Sequence, residues 1–270
     1  MPLFNFALRP VDEIEPWGTS PDLSLSWFGL TDGIYWIDAG GEPLFRYSDE
    51  LVEGWPIDSF VGPYVDYQVI RLYEDLIDIL PAILCSLSHR LSVLIQKSTD
   101  KQSCIDSYFS WEGRLSKNDD RLWDLADSAS SWLCERSLTT LHLLAGPRIK
   151  IWRESNWITI AWNNSDLTIN GIRAWKSLEG SYRLSVDEFV SEITSFHDRL
   201  MSEMRHRVDF IRAGWNRPEI RIDIDSLVNE QSYREGILES ALNQKLEVLD
   251  EHVIVEAIDR ILGSTLPKPE

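Results

Sequence analysis

Asp223 and Asp225 are the two residues of this chain whose type and spacing best suit chemistry. They alternate with Ile220, Ile222 and Ile224. This period-two pattern predicts a short strand with both carboxylates on one face, roughly 7 Å apart. Two carboxylates at that separation can hold a divalent cation or share acid and base roles. A solvated strand face and an acidic patch that binds a partner explain the same alternation, so all three interpretations stay open.

The other residue types that perform catalysis are scattered along the chain. The five histidines form no H-E-x-x-H and no H-x-H pair, which disfavours a compact metal site. Phosphate-binding glycine loops and the G-x-S-x-G serine elbow are missing. His197 falls on the apolar stripe of a predicted helix, as a packed histidine does. The sequence therefore assigns no catalytic residue, no metal ligand and no cofactor, and it favours a protein that is not an enzyme.

Cysteine usage and hydropathy indicate the compartment. Cys85, Cys104 and Cys134 lie far apart and form no C-x-x-C pair, which favours reduced thiols. The first residues contain no basic segment followed by a long apolar run, so no secretory signal is expected. No run of about 18 apolar residues is present. We therefore expect a cytoplasmic protein that does not bind membranes.

The first half of the chain predicts a small sheet followed by helices. Residues 4–8 alternate as a half-buried strand does, and short aromatic runs at 23–28, 34–38 and 44–47 are separated by glycine-containing connections. These features predict an antiparallel meander. Apolar residues at helical spacing then predict a helix from about residue 69, which Pro81 either kinks or replaces with a second helix.

The rest of the chain predicts a helix, a hairpin and then three further helices. A helix capped by Asp119 or Asp120 comes first, and Gly146 with the following proline predicts a boundary and a hairpin over 149–162. Ser185 and Glu188 form a capping box that opens a long helix, and two further helices follow near 230–243 and 250–262. The pattern predicts an α+β fold, in which antiparallel sheets pack with amphipathic helices. We expect domains at 1–146 and 147–270, or one continuous domain.

Charge and tryptophan content indicate the class of partner. The chain has 44 acidic and 26 basic side chains, a formal net charge of −18, and 12 tryptophans. A folded protein with such a surface repels nucleic acid and anionic lipid and attracts basic proteins. Tryptophans and carboxylates together are typical of interface hot spots, although each tryptophan also suits a core. The candidate partner-binding residues are Trp27, Asp32, Trp36, Trp157, Asp223 and Asp225.

The N-terminal quarter resembles a bacterial family of uncharacterised proteins, a domain of unknown function. The resemblance is carried by residues 6–10, 16–18, 25–33, 35–36 and 63–67, which read FALRP, PWG, LSWFGLTDG, YW and PYVDY. It implies a small bacterial protein and transfers no catalytic residue. Acidic, tryptophan-rich α+β proteins of this style are similar to the immunity proteins of bacterial toxin systems.

These observations favour an immunity protein or inhibitor that binds and neutralises a basic bacterial toxin domain. Two alternatives stay open. One is a hydrolytic or metal-dependent enzyme of unrecognised type, and the other is a regulatory or defence-complex subunit. The sequence does not distinguish the third class from the first.

Overall fold

Helices and mainly antiparallel strands make up the protein, which confirms the predicted α+β class. A computed structural model describes residues 1–54, 60, 62–99, 120–246 and 250–262. The strands of the described residues are β1 (Phe4–Leu8), β2 (Gly33–Ala39), β3 (Glu42–Leu44), β4 (Val65–Asp66), β5 (Ser86–Leu87), β6 (Ile149–Glu154), β7 (Trp157–Asn163), β8 (Thr168–Ile169), β9 (Ile172–Arg173) and β10 (Glu179–Ser185). Their helices are α1 (Asp49–Glu53), α2 (Val69–Leu84), α3 (His89–Thr99), α4 (Asp120–Cys134), α5 (Val186–Gly214), α6 (Ile224–Glu235), α7 (Ile237–Asn243) and α8 (Glu251–Leu262).

The contacts divide the chain into two compact units, and each unit combines segments that are distant in sequence. The domains predicted at 1–146 and 147–270 would have to fold independently of one another, and this division stays a prediction. Unit 1 comprises Met1–Asp78, Asp166–Ser177 and Asp187–Gln244, and unit 2 comprises Ile79–Ser165, Leu178–Val186 and Lys245–Glu270.

The sheet of unit 1 has the order β1–β2–β3, with β4 also paired to β2. The strands predicted at 4–8 and 34–38 are present as β1 and β2. The strand predicted at 44–47 lies earlier, at Glu42–Leu44, and Arg46 and Tyr47 make only isolated bridges. The strand predicted at 23–28 is wrong, because only Ser24 makes isolated bridges, to Trp17 and Arg221. A 3₁₀ turn at Gly29–Thr31 follows it. Alternating burial of Leu25 and Trp27 imitates a strand there, although the backbone forms a loop.

The helices follow the apolar periodicity closely. In α2 the residues that set the helical pattern are buried, and the helix continues through Pro81 to Leu84. The second helix therefore starts later than predicted, at His89, after the short strand β5. Pro81 cannot donate a backbone hydrogen bond to the preceding turn, and the helix ends three residues later. The predicted helix is α4, and Asp120 is its first residue rather than its cap. Asp119, the other predicted cap, lies outside the described residues.

Helix α5 is the longest described element of unit 1 and begins directly after Ser185, as the capping box predicts. Its buried face includes Phe189, Ile193 and Phe196. The rings of Phe4 and Phe196 stack at 5.6 Å between centroids, which fixes β1 against the helix. Burial of such aromatic rings accounts for much of the favourable free energy of packing.

Unit 2 is built on the predicted hairpin of β6 and β7, with β10 paired to the other side of β7. Strand β5 lies parallel to β6. Helices α3, α4 and α8 contribute to one apolar cluster that includes Trp132, Trp152 and Ile254. Trp157 and Trp162 lie on opposite faces of β7, since Trp157 is exposed and Trp162 is buried.

Gly33 allows β1 and β2 to approach closely. A Cβ atom at this position would lie 2.3 Å from the carbonyl oxygen of Ala7. We expect Gly33→Ala to lower the free energy of unfolding by about 1–3 kcal/mol, because the two strands must separate. Urea denaturation measures the change. Gly54→Ala is the control: its Cβ would have no neighbour closer than 3.6 Å, and we expect a change within about 0.5 kcal/mol. Equal effects of the two substitutions would contradict this account.

Candidate functional site

A cleft of about 470 Å³ lies in unit 1 beside the first strand, and we call it the acidic cleft. Several of its lining residues belong to the FALRP, PWG and LSWFGLTDG runs, which the fold brings together from distant positions. The cleft is lined by Arg9, Glu13, Ile14, Glu15, Pro16, Trp17, Gly29, Asp32, Asp66 and Gln68.

Hydrogen bonds to backbone groups position the segment that carries Glu13 and Glu15. The guanidinium group of Arg217 donates to the carbonyl oxygens of Asp12 at 3.4 Å and Ile14 at 3.3 Å. Trp17 and Ser24 exchange two backbone hydrogen bonds of 2.9 Å. Gly18 completes the turn with a φ of +99°, and a Cβ atom there would lie 2.5 Å from the carbonyl oxygen of Asp22. Only glycine suits that position.

Arg9 neutralises one side of the cleft. Its Nε donates to Asp32 at 2.9 Å, and its second terminal nitrogen donates to Asp66 at 3.3 Å. The guanidinium carbon also lies 4.8 Å from the centre of the Phe60 ring. Asp32, one of the six candidate partner-binding residues, lines this cleft, but its carboxylate already has a cationic partner.

Glu13, Glu15 and Trp17 form the open side of the cleft. Both glutamates are exposed, and their carboxylates accept no hydrogen bond from the described residues. The Trp17 side chain is 52% exposed, and its ring contacts Phe28 edge-on at 6.0 Å. An exposed indole beside two carboxylates can hold an arginine or lysine side chain by charge and by cation–π contact.

Two of the predicted site tryptophans lie away from the open surface. Trp27 is 1% exposed, and its indole nitrogen donates to Gln231 at 2.9 Å while Arg234 covers the ring at 4.4 Å. It therefore presents almost no surface to a partner. Trp36 is half-buried, and its ring stacks on Tyr64 with 4.4 Å between centroids.

The remaining three predicted site residues are exposed. The strand predicted over Ile220–Asp225 is wrong, because helix α6 begins at Ile224. Asp223 caps this helix: its carboxylate accepts a hydrogen bond from the backbone nitrogen of Ser226 at 2.9 Å. Asp225 lies in the first turn, so the two carboxylates do not share a strand face. Trp157 lies in unit 2, 44% exposed. Partner binding by the six candidate residues stays a prediction.

Sequence reasoning missed Glu13, Glu15 and Trp17. Their spacing has no period that predicts a site, because they lie in a loop whose shape depends on Arg217 and Ser24 from elsewhere in the chain. One signal was available in the sequence. Several acidic residues precede the PWG tripeptide, and its tryptophan does not belong to any strand or helix pattern that predicts burial.

A buried carboxylate lies elsewhere in unit 1. Asp75 in α2 is 5% exposed, and Arg71 lies 3.2 Å from its Oδ1. Burial raises the pKa of Asp75 to about 7, and the Arg71 guanidinium opposes this only in part. Within the described ranges, no group of three or more His, Cys, Asp and Glu side chains is arranged to hold a metal ion.

A family model of unknown function matches residues 3–257. The chain belongs to the DUF5984 family. The match extends through segments of both units, well beyond the N-terminal quarter that carries the resemblance in the sequence. No curated protein and no solved structure matches the chain. In the described part of this DUF5984 chain, no helix has the length and apolar character needed to cross a bilayer.

Asp75 should make the stability of this DUF5984 protein depend on pH. Because the folded-state pKa lies above the ordinary value of 3.8, the folded protein retains a proton that the unfolded chain loses, and stability falls as the pH rises from about 4 to 7. We expect Asp75→Asn to remove this loss, so that the variant gains about 2 kcal/mol relative to the parent between pH 5 and pH 8. Urea denaturation at both pH values measures it. If Asp75→Asn changed the free energy of unfolding equally at pH 5 and pH 8, the raised pKa would not belong to Asp75.

Proposed function

We propose that this protein is a bacterial immunity protein that binds a basic toxin domain in the cytoplasm and blocks it. The observation that supports this most is the uneven distribution of charge. The sequence of unit 1 contains 28 acidic and 12 basic side chains, a net charge of −16, whereas unit 2 contains 16 and 14, a net charge of −2. A field concentrated on one unit orients a basic partner toward that unit.

The acidic cleft gives this field a specific contact. Glu13 and Glu15 have no cationic partner among the described residues, and the adjacent Trp17 indole is exposed. A lysine or arginine side chain of the toxin enters the cleft and places its charge between the carboxylates and the ring. Such an anchor, surrounded by complementary charge, has the composition of an interface hot spot.

The charge and the anchor affect different rate constants. Complementary charge accelerates association to about 10⁸ M⁻¹s⁻¹ at low salt and loses this effect as ionic strength rises. The buried part of the contact, centred on Trp17, determines how long the complex lasts. Inhibition follows if the captured basic side chains belong to the toxin surface that engages its anionic substrate.

The test uses the product of the open reading frame adjacent to the gene for this chain. We expect that product to arrest growth when expressed alone and to be harmless when the chain is co-expressed. With the two purified proteins, Glu13→Lys/Glu15→Lys should slow association about tenfold or more at low salt, because two attractive charges become repulsive. Trp17→Ala should mainly accelerate dissociation. Surface plasmon resonance at several salt concentrations separates the two rate constants.

The matched control is Glu135→Lys/Glu179→Lys, which makes the same change of charge at exposed positions of unit 2. This variant should associate at close to the parent rate. If the adjacent gene product is not toxic, or if the chain does not relieve its toxicity, the proposed function is wrong. If the two charge reversals slow association equally, binding does not involve the acidic cleft.

A further inference from the structure

The outer edge of strand β1 carries backbone groups that no other strand uses. In the described sheet, β1 pairs only with β2. Edge strands usually hide such groups, because an exposed row of N–H and C=O groups pairs readily with another chain. The chemistry of this edge therefore follows from which residues direct their backbone groups outward.

The register identifies those residues. The backbone nitrogen of Asp38 donates to the carbonyl oxygen of Leu3, and that of Arg9 donates to Asp32, each at 2.8 Å. In an antiparallel pair, hydrogen-bonded and non-bonded residues alternate. Phe6 and Leu8, which lie between these bonded positions, therefore direct both their N–H and their C=O groups away from β2.

Helix α5 closes the two ends of this edge and leaves its middle open. Arg199 donates to the carbonyl oxygen of Phe4, and Arg207 donates to that of Arg9, each at 2.6 Å. Between them lies a groove of about 630 Å³, lined by residues 6–8 and by α5. The outward backbone groups of Phe6 and Leu8 thus face this groove, and the side chains of Arg199 and Arg207 mark its two ends.

The groove holds two guanidinium groups and two carboxylates, and only the carboxylates are without a hydrogen-bond partner among the described residues. The guanidinium groups of Arg199 and Arg207 already donate to carbonyl oxygens. Asp198 and Glu203 line the same groove, are exposed, and accept no hydrogen bond or ion pair from the described residues. Because the sequence of unit 1 has a net charge of −16, an occupant with cationic side chains that reach these two carboxylates is favoured over an anionic one.

We propose that the β1 edge binds an extended segment of a partner protein as an additional antiparallel strand, with basic side chains at alternate positions. The partner residues opposite Phe6 and Leu8 each exchange two backbone hydrogen bonds with them. Residues opposite one another in a sheet project from the same face.

The basic side chains of the segment reach the carboxylates of α5. The Phe6 side chain projects toward α5, where its ring lies 5.7 Å from that of Phe196. The two partner residues that pair with Phe6 and Leu8 therefore also project toward the helix, beside Asp198 and Glu203. A Lys-x-Lys spacing satisfies both carboxylates. This inference does not rest on the proposed function, because it concerns a different surface and holds for any partner with such a segment.

The experiment titrates the isotopically labelled full chain with the peptide acetyl-Thr-Lys-Val-Lys-Thr-amide and records backbone amide signals. We expect the amides of Phe6 and Leu8 to shift and to exchange with solvent at least about tenfold more slowly at saturation, because they become hydrogen-bonded. The peptide with glutamate in place of both lysines should not bind. The double variant Asp198→Asn/Glu203→Gln should bind the lysine peptide about tenfold more weakly.

The control variant Asp187→Asn/Asp209→Asn removes the same charge from α5 outside the groove and should bind as the parent does. Leu8→Pro removes one outward N–H and no bond to β2, so it should fold and lose peptide affinity. If Leu8→Pro does not fold, the double variant Asp198→Asn/Glu203→Gln still tests the proposal.

Three results would overturn the proposal. The first is an absence of change at Phe6 and Leu8 at millimolar peptide. The second is equal binding of the lysine and glutamate peptides. The third is protection of these two amides that increases with the concentration of the chain alone, which would show that a second copy of the chain occupies the edge.

Discussion

The guanidinium group of Arg207 is the interaction on which the N-terminal half of unit 1 depends. This side chain is 8% exposed and donates to the carbonyl oxygens of Leu30 at 2.7 Å and Arg9 at 2.6 Å. Burial lowers its pKa to about 10, so the group remains charged at neutral pH. A buried charge is tolerated only when hydrogen bonds compensate for lost hydration. These bonds hold the end of β1 and the 3₁₀ turn before β2 against one helix.

The use of arginine to bind backbone carbonyls explains why several carboxylates of unit 1 have no direct partner among the described residues. Arg199, Arg207 and Arg217 all donate to carbonyl oxygens of the N-terminal segment. A guanidinium group that binds a carbonyl keeps its charge, but it is held in place there and is less available for a direct ion pair with other carboxylates. The carboxylates without partners then lie beside the segments that the arginines hold, Glu13 with Glu15 in the acidic cleft and Asp198 with Glu203 in the groove. The same interaction therefore shapes both surfaces and leaves carboxylates without a direct partner in each.

Periodic segments of the fold were predictable, and segments held by distant side chains were not. Helix α5 has both a capping box and a continuous apolar stripe, so local signals agree with tertiary packing. The segment at 23–28 imitates a strand because Leu25 and Trp27 are buried in a loop. At 220–225 only the residue types alternate, since Ile220 is buried and Ile224 is 41% exposed. In the second segment the aspartate cap at Asp223 competes with the isoleucine alternation and prevails. The acidic cleft was not predictable as a site, since Arg9, Glu15 and Asp66 meet only after the sheet forms.

The tryptophans show why composition alone does not locate an interface. Trp27, Trp132 and Trp157 each have a guanidinium group of this chain over the ring. Their partners are Arg234 at 4.4 Å, Arg136 at 4.5 Å and Arg183 at 5.0 Å. Trp17 has no such partner among the described residues, although it is 52% exposed. Sequence cannot separate these cases, because all are tryptophans in an acidic chain. What distinguishes Trp17 is a ring face that an external cation can reach, beside two carboxylates that would hold the cation in place.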